Sequence, residues 1–368
     1  MNAAPSRRGR RWLPALLVFA LLAAGTAAAG FALVRHDWET PYRGFAPGGV
    51  FVEIPHGTPS AAIARMLEAT GVVRSALSFR LLVLRRRHER LEAGEYHFDL
   101  AETPEQVFDT LSRGRIYTVT VTVPEGETMF DIAAQLEAKS VTSREAFLAA
   151  ARSPALIADL APNAPSLEGF LFPATYQFPR HQPGAKIAEA MVRRFREAWT
   201  RLLAAGANAP DNPSAPKLTP LETVTLASLV EKETAVPEER PLVASVFTNR
   251  LGKRMTLDCD PTVIYGLELA GRYNGRLLLA DLRVDSPYNT YQRRGLPPGP
   301  IANPGEASLS AALQPAAVKY FYFVATGDGG HVFSRTLAEH NRNVARYRRR
   351  EAQLARNHSA RGAGKQTP

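Results

Sequence analysis

Hydrophobic positions form three kinds of pattern along this chain. The first is an unbroken apolar block from Trp12 to Val34, 23 residues without a charge. As a helix rising about 1.5 Å per residue, it is long enough to cross a hydrocarbon core about 30 Å thick. Arg7, Arg8, Arg10 and Arg11 precede it, and Arg35, Asp37 and Glu39 follow. That asymmetry predicts a cytoplasmic basic segment 1–11, a transmembrane helix 12–34 and the remaining chain outside. Ala27-Ala28-Ala29 would suit signal-peptide cleavage. The apolar run continues past it through Phe31 and Val34, longer than a signal core, so an uncleaved anchor is expected.

The second pattern is a repeat. Val52-Glu53-Ile54-Pro55-His56-Gly57 aligns with Val121-Thr122-Val123-Pro124-Glu125-Gly126 at an offset of 69 residues, and nine of 21 consecutive positions are identical. Each copy reads as a strand, a Pro-x-Gly turn and an amphipathic helix. Tyr117 to Val123 alternates as a half-buried strand does. Between the copies, Phe79 to Leu84 is apolar and Arg85-Arg86-Arg87 follows, which predicts a helix with a solvated basic end. The second copy, Val-Pro-Glu-Gly-Glu-Thr-Met-Phe-Asp-Ile-Ala, resembles the opening of a LysM domain. The resemblance implies a small βααβ unit that binds N-acetylglucosamine-containing glycans. The alternative is a strand-helix spacer with no ligand.

The third pattern is a helix that is apolar nearly all round. Thr219, Pro220 and Glu222 form a capping-box start, and Pro237 sets the latest stop. Val224, Ala227, Ser228 and Glu231 share one face, and Leu226 and Leu229 lie opposite. Such a helix is buried. Glu231 is therefore expected on a packed face near the helix C-terminus, where burial and the helix dipole both disfavour charge and Lys232 partly opposes them. A carboxyl that is hard to ionise is what a general acid needs. Without other signals, Glu-Lys-Glu at a helix end would read as a solvated terminus. Ala205 to Lys217 predicts a loop, and residues from Arg350 on predict disorder or a frayed helix end. Strand-helix repeats followed by mixed helices and short strands give an α+β fold.

Charge removes one class of function. The formal charge is +10, but residues 1–11 hold four arginines and no acid. From Arg346 on there are seven basic residues and one acid, so residues 12–345 are net neutral. A nucleic-acid partner is not expected. Cys259 is the sole cysteine, which excludes an intramolecular disulfide and a cysteine-rich zinc site. The eight histidines show no metal-ligand spacing and no phosphate-binding glycine loop appears, so neither metal nor cofactor is expected.

Candidate chemistry lies in five segments. They are Leu167 to Tyr176, Leu226 to Thr234, Val246 to Leu251 with Leu257 to Gly266, Ser286 to Ile301, and Tyr320 to Phe333. Their aromatics, amides and acids suit a carbohydrate cleft, where sugar faces pack on rings and polar groups read hydroxyls. The stiff Pro/Gly run after Tyr291 would hold Tyr288 and Asn289 with little entropy to lose. Glu-Gly-Phe-Leu-Phe-Pro-x-Thr-Tyr, Ala-Ser-x-Val-Glu-Lys-Glu-Thr, Asp-Pro-Thr-Val-x-Tyr-Gly, Tyr-Asn-Thr-Tyr and Gly-Leu-Pro-Pro-Gly-x-Ile occur in one order. In this the chain resembles the endolytic murein transglycosylase, or YceG-like, family over roughly residues 45–345.

The resemblance implies a single-pass bacterial inner-membrane enzyme. It would cleave nascent peptidoglycan glycan strands in the periplasm and work beside peptidoglycan synthases. It implies a LysM-like unit beside a catalytic domain; with the repeat and the charge pattern this divides the chain into a first repeat unit at 45–115, a LysM-like unit at 116–155, a catalytic domain at 156–345 and a basic tail at 346–368. It assigns Glu231 as the catalytic residue. Glu168, Tyr176, Asn249, Asp260, Tyr265, Tyr288, Asn289 and Tyr291 are the substrate-binding candidates, with Lys232 and Glu233 as supports. Glu231 and Glu233 project about 200° apart on a helix, so they cannot be a carboxylate pair on one bond. A lytic transglycosylase does not need that pair, because the muramyl C6 hydroxyl replaces water. Two rivals remain: a hydrolase that takes a second acid from Glu168, Asp258 or Asp260, and a membrane-anchored glycan-binding scaffold without catalysis.

Overall fold

The computed structural model describes residues 13–206 and 217–363. The expected segment 1–11 and most of the expected loop at 205–217 lie outside them. Helix α1 (Leu13–Glu39) is, among the described residues, the one helix long and apolar enough to cross a membrane. The chain then divides between Thr118 and Val119 into two compact units, and α1 belongs to the first.

The first unit continues through β1 (Val50–Ile54), α2 (Ser60–Ala69), α3 (Ala76–Arg85), β2 (Gly94–Phe98) and α4 (Pro104–Ser112). Strands β1 and β2 pair antiparallel, with Val52 opposite Tyr96. Val52, Ile54, Leu67, Phe79, Tyr96 and Phe108 fill the core. Thr103 and Gln106 close a capping box on α4, with Pro104 as its first residue.

The second unit opens with β3 (Val119–Thr122), α5 (Met129–Ala138), α6 (Arg144–Ala151) and β4 (Thr175–Phe178). The 69-residue repeat is structural as well as sequential, because α2 and α5 begin and end at equivalent positions. Gly57 and Gly126 hold matching left-handed turns at φ 78° and 80°. Each copy runs strand, helix, helix, antiparallel return strand, with Val121 opposite Tyr176 in the second.

The second copy does not form a separate domain ending at residue 155. Val121, Ile132, Leu136 and Phe147 share one core with Phe170, Phe195, Val224 and Phe247. A strand and two short helices cannot bury both their faces alone, and here α7 (Gly184–Gly206) covers them. Gly184 abuts the Ala146 backbone so closely that no Cβ fits.

Helices α8 (Pro220–Glu233), α9 (Arg240–Gly252), α10 (Asp260–Leu269) and α11 (Glu306–Leu313) complete the interior. The hairpin β5 (Tyr322–Ala325) and β6 (His331–Ser334) leads into α12 (Leu337–Ala363). The expected basic tail at 346–368 begins inside α12. The hairpin holds the helix there: Arg346, Tyr347 and Arg350 line a cleft against β5, and Arg350 donates to the Thr326 carbonyl at 2.9 Å.

Candidate active site

The start of α8 is the predicted capping box, with Thr219 and Glu222 bonded reciprocally. Thr223 to Val230 are buried without a break, so the helix is enclosed on all sides. Ser228 accepts the Ile301 N–H at 3.1 Å, which ties the Gly-Leu-Pro-Pro-Gly loop to this helix. One turn later, Glu231 emerges with its side chain only 6% exposed.

Both oxygens of Glu231 are held. Arg240, at the start of α9, donates to one from 3.2 Å. Gly305, the N-cap of α11, donates its N–H to the other at 2.9 Å. A guanidinium and a backbone amide thus meet the two oxygens of one buried carboxyl. Arg240 also lies 3.6 Å from Glu125, so two carboxyls share one guanidinium nitrogen. Glu125 sits in the Pro-Glu-Gly turn of the second repeat copy, 48% exposed. Burial raises its carboxyl above the ordinary range, the charge of Glu231 adds to this, and Arg240 opposes it.

Asn303 organises this junction. Its side-chain carbonyl accepts the Gly169 and Leu171 N–H groups at 2.8 and 2.9 Å. Its amide donates to the Glu127 carbonyl and to Glu168. Its backbone pairs with Gly126 and Glu127. The turn bearing Glu125 and the loop bearing Gly305 are thereby locked together around Glu231. Lys232 adds a bond to the Gly126 carbonyl at 3.1 Å.

Glu233 faces away from Glu231, as the 200° separation requires. Burial raises its carboxyl, and a hydrogen bond with the Cys259 thiol opposes this. Burial and then the charge of Glu233 push the Cys259 thiol up in turn.

The eight expected substrate-binding residues separate into two groups. Asp260 and Tyr291 form a pair, the phenol donating to the carboxylate at 2.6 Å, and Asp260 is exposed. Tyr288 borders an open cleft of about 340 Å³ with Arg272 and Ser286. The other five serve packing. Glu168 is buried and accepts from Met129 and Asn303; burial pushes its carboxyl up to about 8, against the pull of the Met129 N–H and Tyr265 bonds. Tyr265 packs on Phe130 and Tyr288. Tyr176 stacks on Phe178 and donates to the Phe172 carbonyl. Asn249 donates to the Val318 and Tyr320 carbonyls, both at 2.8 Å. Asn289 is fully buried and donates to the Leu282 and Val284 carbonyls, so its amide is not presented to a sugar.

Sequence reasoning missed Glu125, Arg240, Asn303 and Gly305 as members of the site. Three of them carried usable signals. Glu125 stands in the turn of the repeat, and Asn303-Pro304-Gly305 is a turn signal directly after the Pro-Pro-Gly loop.

The YceG-like family model matches residues 52–346. Similar proteins include an endolytic murein transglycosylase from Bacillus subtilis (strain 168), 34% identical over 313 residues, or 81% of this chain and 84% of the relative. An endolytic murein transglycosylase from Streptococcus pneumoniae serotype 2 is 30% identical over 330 residues, or 81% of this chain and 58% of the relative. Among solved structures, a putative YceG-like protein from Listeria monocytogenes matches with a TM-score of 0.51 and 33% identity, over 81% of this chain and 99% of that one.

Proposed function

Because the chain belongs to the YceG-like family, we propose that it is a lytic transglycosylase acting on peptidoglycan, with Glu231 as its acid and then its base. The observation that carries the assignment is the grip on Glu231, a buried carboxyl fixed at both oxygens by donors from two other elements. Rigid placement of this kind is what proton transfer to a bound bond requires.

The protonated Glu231 gives its proton to the oxygen of the MurNAc-β-1,4-GlcNAc bond as that bond breaks. The carboxylate then removes the proton from the muramyl C6 hydroxyl, and O6 closes on the anomeric carbon. The product ends in 1,6-anhydroMurNAc and no water is consumed. Arg240 and Gly305 support the carboxylate formed halfway. Glu125, whose carboxyl is raised by burial and by the charge of Glu231, is the neighbouring carboxyl on the same guanidinium nitrogen. Asp260 and Tyr291 supply the surface on which the sugars lie, and Tyr288, largely buried, borders a cleft with Arg272 and Ser286.

In this reading α1 anchors the chain in the bacterial inner membrane with its N-terminus in the cytoplasm. The two units stand in the periplasm beside the wall synthases, where cleavage of nascent strands ends their elongation. The second repeat copy contributes Glu125 to catalysis, whether or not it also binds glycan.

A hydrolase is the second reading, and the position of Glu125 favours it. A half-exposed carboxyl beside the acid is placed to activate water. Mass spectrometry of uncrosslinked glycan strands treated with the full chain in detergent separates the two. Internal fragments one water lighter than hydrolysis products, lost in Glu231→Gln, are expected. Fragments carrying the added water would replace the transglycosylase with a hydrolase. Intact strands with both proteins would leave a glycan-binding scaffold.

A further inference from the structure

Helix α3 carries an apolar stripe that nothing in its own unit covers. Leu77, Leu81 and Leu84 are 65%, 39% and 66% exposed, and their i, i+4, i+7 spacing puts them on one face. Arg80 and Arg85 flank the stripe on either side, while Ala76, Ser78, Phe79 and Leu82 face the core. Residues 74–90 hold six arginines and one acid, Glu89. Some of this charge is engaged: Arg86 pairs with Glu89 and Asp109, and Arg85 lies 3.8 Å from Glu105. Arg80 and Arg87 extend from exposed positions.

The end of α1 fixes where this stripe lies. Trp38 donates its indole N–H to the Ser78 carbonyl at 3.1 Å, and the Arg85 guanidinium sits 5.4 Å above the Trp38 ring. Phe31, Arg35, Trp38 and Glu39 share one cavity with Arg85 and Glu105. Phe31 belongs to the last apolar turn of α1, so the C-terminal end of α3 stands where that helix leaves hydrocarbon. A tryptophan with arginines at this level is the usual composition of a membrane interface.

We propose that α3 is an interfacial helix, with Leu77, Leu81 and Leu84 inserted into the outer leaflet and its arginines on anionic phosphates. This rests on the reading of α1 as a membrane span. The occupant follows from continuity: the stripe adjoins the emerging span, and its rim is basic. The helix would clamp the first unit to the bilayer and restrict its swing about the end of α1.

The test uses the full chain in phosphatidylglycerol-containing vesicles. Cys259 is the sole cysteine and is buried, so Leu84→Cys can be labelled specifically with an environment-sensitive fluorophore. Leu22→Cys, within α1, is labelled in parallel. The expected result is blue-shifted emission at both positions, quenched by nitroxide lipids, at shallow depth for position 84 and greater depth for position 22. Exchanging phosphatidylglycerol for phosphatidylcholine should lower the docked-to-free ratio at position 84 roughly fivefold for each arginine on the headgroups. Quenching of position 84 by aqueous iodide alone, with position 22 in lipid, would overturn the proposal and leave the span intact. Both labels in water would overturn the span reading itself. A blue-shifted label at 84 that nitroxide lipids do not touch would mean a protein neighbour and would also overturn it.

Discussion

Arg240→Met removes the guanidinium from between two carboxyls and keeps most of the apolar stem. The nitrogen lies 3.2 Å from Glu231, and the two side chains are 10% and 6% exposed, so the pair is buried. At an effective dielectric near 20, charges this close attract by about 5 kcal/mol before desolvation is counted. Glu125 lies at 3.6 Å but is half exposed, so screening reduces its share to about 1 kcal/mol or less. Removing one partner of a buried pair leaves the other charge uncompensated, and the expected loss is about 3 kcal/mol at neutral pH. The sign with pH follows from the same geometry. Without the cation, the carboxyl pair holds a proton in the folded state that the unfolded chain releases. The cost of the substitution is therefore small near pH 4 and grows as pH rises. Because turnover in the proposed mechanism begins with a protonated carboxyl, the alkaline limb of the pH–rate profile should move to higher pH. Arg240→Lys keeps a point charge and should recover part of both effects. Urea unfolding followed by circular dichroism at pH 5 and pH 8, beside rate profiles on glycan strands, makes the test. Equal midpoints for wild type and Arg240→Met at both pH values, with superimposable rate profiles, would refute the charge argument.

Glu168 has its folded pKa raised from 4.5 to about 8, so its stabilisation is complete below about pH 4.5 and is lost as pH rises toward 8. The expected slope is about 1.4 kcal/mol per pH unit, and Glu168→Gln should flatten that limb of the unfolding curve; parallel limbs would reject the assignment. Gly305→Ala puts a Cβ onto the Glu125 carboxylate, a flexible group that can swing aside. The melting temperature should hold while kcat falls by up to about a hundredfold; an unchanged kcat would show that this contact is idle. Glu125→Gln should slow turnover and still yield anhydro ends in the product spectrum. Loss of a water-added product instead would assign Glu125 as the base of a hydrolase.

Local signals were legible and long-range ones were not. Helix α8 starts at the capping box read from Thr219, Pro220 and Glu222, because caps are made within four residues. Its all-round apolarity foretold the burial of Thr223 to Val230. The opposed directions of Glu231 and Glu233 followed from helical geometry alone. Arg240 and Gly305 reach Glu231 only through the packing of three helices, and neither position is marked by periodicity. The aromatic segments are ambiguous for a different reason. Tyr176 and Tyr265 have the amphipathic character a sugar platform needs, but that same character suits a core position with one polar tip, which is where they sit. Asn289 stands in a stiff loop as expected, yet its amide satisfies backbone carbonyls within that loop. Polar side chains in rigid loops answer the loop's own hydrogen-bond needs first. In α12, low apolar content suggested disorder or a frayed helix end from Arg350; the helix continues to Ala363, and Arg350 itself is bonded to the Thr326 carbonyl at the end of β5.

The repeat supplies an internal comparison that isolates what the second copy gained. Both copies make the same turn, with glycine φ values two degrees apart, so the backbone is not what distinguishes them. Around Gly57 a Cβ would meet nothing within 4 Å, whereas at Gly126 it would lie 3.5 Å from the Glu231 side chain. The residue before each glycine differs in step. It is His56, exposed, in the first copy and Glu125, beside Arg240, in the second. A turn that must pack on a buried carboxyl beside a single arginine gains from carrying an acid only if the pair has to manage a proton, because a second negative charge there otherwise raises the electrostatic cost. The divergence at one turn position therefore fits the proposed mechanism: Glu125, whose carboxyl burial raises, stands beside the residue proposed to give up a proton and take one back in a single turnover.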